Sequence, residues 1–220
     1  MTKAVFFSGS HPRHLFVHDH VINLFDEVLF IVMEREHLIP KCPANITEQD
    51  KKNFQRHFQN RKLVESGAFG SPKLIKKNGK IDTVTISPEE LNSGFLVQRV
   101  KRFKAQFAFV FGCDLIKGEL FEALPEFNVN LHLGLSPWYK GSATLFWPFV
   151  LLEPQFAGVT FHKLALAADA GGIIHQSTPD LKRGDGVHDV GTRCVIDAAG
   201  QAIEAFGQFV IGGNYAVGFI

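Results

Sequence analysis

Lys3-Ala4-Val5-Phe6-Phe7, closed by Ser8-Gly9-Ser10, then helical spacing of apolar residues from His14 to Phe25, then the branched run from Glu27 to Met33: this stretch decides the fold. The first run is short, β-rich and stopped by a glycine turn. The last is apolar, rich in branched residues and too short for a helix, which marks a buried strand. Strand, glycine turn, helix, strand is the order of a βαβ unit, the building block of a parallel sheet.

The alternation continues outward. Phe107 to Gly112, Val129 to Leu133, Val159 to Leu164 and Ile173 to Ser177 read as further strands. A solvated helix is expected from Thr47 to Glu65, with Thr47 as its cap and Glu48, Gln49 and Asp50 in the first turn. Another should start at Ser87-Pro88-Glu89-Glu90, where a capping serine precedes proline and acids at the positive end of the dipole. Short helices are expected at Lys117 to Leu124 and, despite Pro148, at Thr144 to Leu152; Asp185 to Phe209 reads as a long amphipathic helix. Lys73 to Ile86 alternates weakly and holds one or two edge strands around the hairpin dipeptide Asn78-Gly79. The expected fold is α/β, a Rossmann-like, mostly parallel central sheet with helices on both faces. It forms a single domain over residues 1–220, with ligands at the carboxyl ends of the strands.

Composition narrows the function. With 220 residues, 45% apolar and 20% charged, the chain can bury a full core without staples. Lys and Arg number 23 against 22 acids, a net +1, so no global field exists to hold a polyanion, and nucleic acid is not expected as a partner. The longest apolar stretch, Leu145 to Leu152, is interrupted by Pro148 and falls far short of the roughly 20 residues of a membrane helix. Met1-Thr2-Lys3 runs straight into the first strand, so neither a signal peptide nor a membrane role is expected. Cys42, Cys113 and Cys194 are widely spaced with no Cys-x-x-Cys pair, which implies neither a disulfide framework nor a zinc knuckle, and a reducing cytoplasm. The 22 Phe beside 2 Tyr and 2 Trp read as core filler.

Three loops carry chemistry. In Asn130-Leu131-His132 the two polar residues are two apart, so on a strand they project to one side. A neutral imidazole takes a proton from an attacking amine, and an amide NH2 steadies a developing oxyanion; alone, such a pair more often just holds a loop. Asp169-Ala170-Gly171-Gly172-Ile173 puts a carboxylate on a glycine loop that a ligand can approach closely, though by itself it is more often a turn. Phe111-Gly112-Cys113-Asp114-Leu115-Ile116 is a strand end with a glycine turn.

Taken in order and spacing, the sequence resembles the folate-dependent formyltransferases, a family that includes methionyl-tRNA formyltransferase, glycinamide ribonucleotide transformylase and the sugar N-formyltransferases. Its pattern is Asn-x-His, a Ser-Leu-Leu-Pro-like stretch ending in Gly, a Gly-Val-Thr-Ile-His-like strand and Asp-x-Gly-x-Ile. Here it reads Asn130-Leu131-His132-Leu133-Gly134-Leu135-Ser136-Pro137, then Gly141, then Gly158-Val159-Thr160-Phe161-His162, then Asp169-Ala170-Gly171-Gly172-Ile173. Ser136 stands where the family usually has leucine. The likeness is good from Phe107 to Gln176 and loose elsewhere. It implies the formyltransferase fold, 10-formyltetrahydrofolate as co-substrate, an amine as acceptor and no metal. His18-Asp19-His20 and His11-Pro12-Arg13-His14 are metal-like only by composition.

Carried over by position, the resemblance makes His132 general base and acid, Asn130 donor to the oxyanion, and Asp169 the residue that orients His132 and supports its charge. The pterin would lie against Phe111, Gly112, Cys113, Leu115 and Ile116 and against the loop holding Ala165 and Gly171. Methionyl-tRNA formyltransferase has a further C-terminal barrel, and this chain ends near Ile220 without one. Glycinamide ribonucleotide transformylase has about this length but a glycine-serine-asparagine phosphate loop, which Ser8-Gly9-Ser10-His11-Pro12-Arg13 lacks. The formyltetrahydrofolate deformylases carry an added N-terminal regulatory domain, so a deformylase is not expected. The run Leu135 to Trp147 is similar to the sugar N-formyltransferases, which act on nucleotide-linked amino sugars. Ser10, Arg13, Tyr139, Lys140 and Gly141 are the substrate-binding candidates, with Arg13 and Lys140 for a diphosphate. A glycinamide ribonucleotide-like acceptor and a non-catalytic folate-binding scaffold are the alternatives. The Phe- and Ile-rich tail (Phe206, Phe209, Ile211, Phe219, Ile220) either packs on the sheet or covers a partner subunit in a homodimer.

Overall fold

The computed structural model describes residues 1–34, 39–70 and 79–212, with side chains through residue 207. The opening βαβ unit is β1 (Lys3–Gly9), α1 (Pro12–Val21) and β2 (Glu27–Met33). There follow α2 (Glu48–Phe69), β3 (Lys80–Ile86), α3 (Gly94–Phe103), β4 (Phe107–Phe111), α4 (Gly118–Glu122), β5 (Phe127–His132), α5 (Trp147–Val150), β6 (Val159–His162), β7 (Ile173–Ser177) and α6 (Val187–Gly212). The strands form one sheet in the order β3-β2-β1-β4-β5-β6-β7. The first five are parallel, and β6 runs antiparallel to both β5 and β7. This is the expected α/β sheet, mostly parallel, with helices on both faces.

Central strands read as unbroken apolar runs because both of their faces are covered. Along β1, Ala4 and Phe6 join one core with α1 and α6, while Val5 and Phe7 join the other with α3. The phenylalanines are concentrated on the first face. The Phe6 ring meets Phe25, Phe30 and Phe109 edge-on at 5.6, 6.4 and 5.9 Å, a favourable quadrupolar arrangement. Phe206 of α6 packs 4.8 Å from both Phe107 and Phe109 and is 1% exposed, so this tail residue belongs to the core. The side chains of Phe209, Ile211, Phe219 and Ile220 lie outside the described residues.

Several expected boundaries differ. The helix read from Ser87 is a single 3-10 turn, Pro88–Glu90, closed by a reciprocal capping box. The helix itself starts at Gly94, with Ser93 Oγ accepting from the Leu96 amide. The helix expected over Thr144 to Leu152 shrinks to one turn, α5. Ala143 (φ 57°) and Leu152 (φ 59°) are left-handed on either side of it, and Pro148 has no N–H with which to extend it backward. Its apolar residues Trp147, Val150, Leu151 and Leu152 are exposed. Strand β6 stops at His162 rather than Leu164, because its register with β7 shifts there and the Lys163 amide turns to Gly172 O. Of the expected hairpin, Asn78 lies outside the described residues. The edge strand β3 is parallel to β2, so it is reached by a crossover.

The order 2-1-4 around β1 makes the β1/β4 junction the point where connections leave in opposite directions, opening a crevice beyond the strand ends. His14 of α1 fills the bottom of that crevice, its ring 4.7 Å from Phe111 and wedged between Gly9 and Gly112. A Cβ on either glycine would overlap the His14 ring, and Gly112 also holds φ 84°. Burial, with Arg13 beside it, drives the His14 imidazole well below its ordinary value, so the ring is neutral. Gly112→Ala should therefore cost about 2 kcal/mol or more in urea denaturation, and about 1 kcal/mol in a His14→Ala background, where only backbone strain remains. Equal costs in the two backgrounds would show that the ring does not set the requirement for glycine.

Candidate active site at the carboxyl end of β5

Strand β5 gives its odd-numbered side chains, Val129 and Leu131, to the phenylalanine-rich core and turns Asn130 and His132 to the other side. Antiparallel pairing sets His162 of β6 directly across from Asn130. The loop after β6 folds back over this polar patch. Its neck is closed by the Lys163 amide on Gly172 O at 2.9 Å, and a Cβ at Gly171 would overlap the Lys163 carbonyl. At the tip Asp169 adopts φ 49°, a left-handed conformation that aspartate tolerates.

Asp169 is where these segments meet. Its Oδ1 lies 3.4 Å from His132 Nδ1 and 3.4 Å from His162 Nε2, and its Oδ2 accepts from the Gly141 amide at 2.8 Å. The side chain is 12% exposed, and that of His132 is 7% exposed. Burial pushes the Asp169 carboxyl upward; once the two rings are protonated, hydrogen bonding from His162, with the Gly141 amide and both imidazole charges, outweighs it and holds the group below its ordinary value. His132 Nε2 lies 2.8 Å from Tyr139 O, a carbonyl that can only accept, so Nε2 carries hydrogen and Nδ1 faces Asp169. His162 Nδ1 likewise donates to Lys163 O at 2.7 Å, leaving Nε2 to take the Asn130 Nδ2 hydrogen at 3.0 Å.

This patch forms one wall of a cleft of about 1370 Å³ at the strand ends. Asn130, His132 and Asp169 line it together, as do Phe111, Gly112, Cys113, Leu115, Ile116 and Ala165, and Arg13 and Gly141. Ser10, Tyr139, Lys140 and Gly171 do not. Tyr139 acts through its backbone carbonyl, while its hydroxyl donates to Glu153 Oε2 at 2.6 Å. Lys140 is exposed, and Gly171 serves the loop neck. Burial, with Asp114 adding to it, pushes the Cys113 thiol up to about 12, so it is no nucleophile.

The segment from Gly112 to Lys117 is irregular backbone, pinned by a residue the sequence reading missed. Asn92 Nδ2 donates to Leu115 O at 3.1 Å, and the Lys117 amide donates to Asn92 Oδ1 at 2.9 Å. His162 was also missed as a site residue, although its motif was read. Its only signal is register: it faces Asn130 because β6 is antiparallel, a pairing that spacing alone does not fix.

The chain has the formyltransferase fold. Phosphoribosylglycinamide formyltransferase from Bacillus halodurans superposes with a TM-score of 0.64 at 18% identity over 97% of each chain. A sugar N-formyltransferase from a Shewanella species gives 0.59 at 17% identity, over 97% of this chain and 71% of that one. A formyltransferase from Anoxybacillus kamchatkensis, in complex with UDP-4,6-dideoxy-4-formamido-L-AltNAc and tetrahydrofolate, gives 0.51 at 15% identity, over 96% and 77%. No family model matches the sequence. Among the described residues no helix is long and apolar enough to cross a membrane, and no cluster of ligating side chains has metal geometry.

The depressed Asp169 carboxyl ties the formyltransferase-fold site to stability. A group whose folded value is lowered stabilises the fold above its unfolded value, near 3.8, and loses that contribution as pH falls through the folded value. Urea midpoints measured between about pH 5 and pH 2 should therefore fall more steeply for the wild type than for Asp169→Asn. Parallel profiles would mean that the contacts to Asp169 carry no net charge stabilisation.

Proposed function

We propose that this protein transfers a formyl group from 10-formyltetrahydrofolate to a primary amine, the acceptor being an amino sugar carried on a nucleotide. The observation that carries the reading is the convergence of Asn130, His132 and Asp169 on one wall of a large cleft at the strand ends. The donor fits the opposite side of that wall. Irregular backbone from Gly112 to Ile116, following the end of β4 at Phe111, and the apolar side chains of Ile116, Leu164 and Ala165 suit a flat heterocycle with donor and acceptor edges.

The residues divide the chemistry by position. The acceptor nitrogen bonds to the formyl carbon while the carbonyl pair moves to oxygen, where the Asn130 amide hydrogen not given to His162 stabilises it. His132 takes the amine proton at Nδ1, because Nε2–H is committed to Tyr139 O. Asp169, 3.4 Å from that nitrogen, stabilises the imidazolium. Return of this proton to the departing folate nitrogen, as its bond to the formyl carbon breaks, balances the reaction. His162 holds Asn130 and, through Asp169, the loop. The three cysteines are free, as suits a cytoplasmic enzyme.

A glycinamide ribonucleotide-like acceptor is the second reading, favoured by the 97% mutual coverage of the Bacillus halodurans match. Incubation with 10-formyltetrahydrofolate and a pool holding nucleotide-linked amino sugars and glycinamide ribonucleotide, read by mass spectrometry, separates the two. A formylated amino sugar with folate released in step is the expected outcome. Formylated ribonucleotide would select the second reading. Folate binding without any transfer would leave a binding scaffold. His132→Ala should lower turnover by about 10²-fold or more with tetrahydrofolate affinity nearly unchanged, and unchanged turnover would remove the histidine from the mechanism.

A further inference from the structure

Helix α2 lines the cleft opposite the catalytic wall. Its lining residues include a polar set, Asn53, Arg56, His57, Asn60, Arg61 and Glu65, spaced three and four apart along one side, together with the apolar Phe54, Phe58, Leu63, Val64 and Phe69. The polar set is net basic, with Arg56 and Arg61 against Glu65. Around it stand Arg13 of α1, whose Nη2 pairs with Glu65 Oε1 at 3.1 Å, and His188 of α6, whose ring lies 4.5 Å from that of His57. Arg61 is stacked on Phe58 at 4.6 Å, which fixes its planar fork at the cleft. Arg13 Nε and His188 Nε2 are buried nitrogens with no hydrogen-bond partner among the described residues. On the catalytic side the charged residues are Asp114 and Asp169, whereas the helical side sets Arg13, Arg56 and Arg61 against Glu65 and Asp189. The cleft is bipolar.

We infer that the wall made by Arg56, His57 and Arg61 of α2, with Arg13 and His188, is the subsite for a phosphate or diphosphate group carried by the acceptor. This rests on the formyl-transfer reading only for the position of the amine. A zwitterionic acceptor lies across such a cleft in one direction, its amine toward Asp169 and His132 and its anion on the arginines. Guanidinium forks match phosphate oxygens two at a time, which gives orientation as well as affinity. Lys140, the other cation named from the sequence, is outside the cleft lining.

The histidine pair makes the subsite responsive. Burial, then the charge of Arg61, holds the His57 ring below its ordinary value. Burial, then the charge of His57, lowers His188 to about 4, with Arg61 and Arg13 adding to the effect. Facing the pair are Arg61 and Glu65 on α2, Arg13 on α1, and Asp189 beside His188 on α6, where it accepts from the Gly186 amide. Burial and the neighbouring arginines keep both rings neutral despite Glu65 and Asp189, and an arriving anion counters the field of those arginines.

The test uses the whole protein with inorganic pyrophosphate and inorganic phosphate as probes, by calorimetry. Pyrophosphate should bind, Arg61→Gln should weaken it at least 10-fold, and Arg102→Gln, on the far face, should leave it unchanged. Tighter pyrophosphate than phosphate indicates a diphosphate, and equal affinities indicate a monoester. At pH 6.5, pyrophosphate should move the ring-proton NMR signals of His57 and His188, assigned through His57→Gln and His188→Gln, toward their protonated positions. Pyrophosphate that does not bind, or that binds Arg61→Gln as well as wild type while that variant keeps its circular dichroism, overturns the subsite. Tetrahydrofolate binding is measured on the same samples. Its absence, with pyrophosphate still dependent on Arg61, would sink formyl transfer and spare the subsite.

Discussion

Every other feature of the site depends on the half-buried carboxylate of Asp169. One oxygen faces two imidazoles, each at 3.4 Å, and the other takes the Gly141 amide. The four segments it joins are β5, β6, the loop before Gly141 and its own glycine loop. A carboxylate this enclosed is costly unless its lone pairs are occupied, and each occupant here is a group whose position matters to a reaction. The cost of enclosing the charge is offset by contacts that order Asn130, His132 and His162, the first two of them proposed above as catalytic. Pre-organisation and stability thus draw on the same bonds.

The sheet explains why that carboxylate meets a cleft. Strand order leaves a crevice beyond β1 and β4, and His14 forms its floor by occupying the space that two glycines leave open. An aromatic ring in that place is a rigid, uncharged base for whatever lies above it. The polar loops from β4, β5 and β6 then rise on one side and α2 with the start of α6 on the other. The switch from parallel to antiparallel at β5 is equally consequential. It brings His162 back beside Asn130 within the same wall, which a parallel neighbour reached by a long crossover would not do.

Strands and their burial were legible in the sequence because covered strands must be apolar on both faces, and Phe107 to Phe111 or Glu27 to Met33 admit little else. Asn130, His132 and Asp169 were legible through their spacing and the family resemblance. What escaped was determined by contacts between distant segments. Nothing near Asn92 announces that its amide will hold the loop at Leu115, 23 residues on. Helix α2 looked solvated because its polar residues cover more than one face, and only the fold shows that one of those faces looks into a cleft. Tyr139 was read for its ring, whereas its carbonyl fixes the tautomer of His132. The helix at Thr144 failed because left-handed residues at Ala143 and Leu152 override the apolar pattern between them.

The size and chemistry of the cleft bear on the order of events. At about 1370 Å³ it exceeds the 300–1,000 Å³ or so of a pocket built for one small ligand. Its two walls differ in character, one irregular backbone with apolar side chains, the other a helix that mixes basic and apolar ones. A covalent relay through the enzyme would need a nucleophile between them. The cysteine that lines the cleft, Cys113, is held protonated, its thiol bonded to Asp114 O. His132 has one nitrogen committed to Tyr139 O and the other facing a carboxylate, an arrangement suited to carrying a proton rather than a formyl group. The formyl transfer proposed above needs no such relay if both substrates are present together and the group passes directly between them beside His132 and Asp169. On that view the width of the cleft is a requirement of the chemistry, and the bipolar walls keep the two substrates from exchanging places.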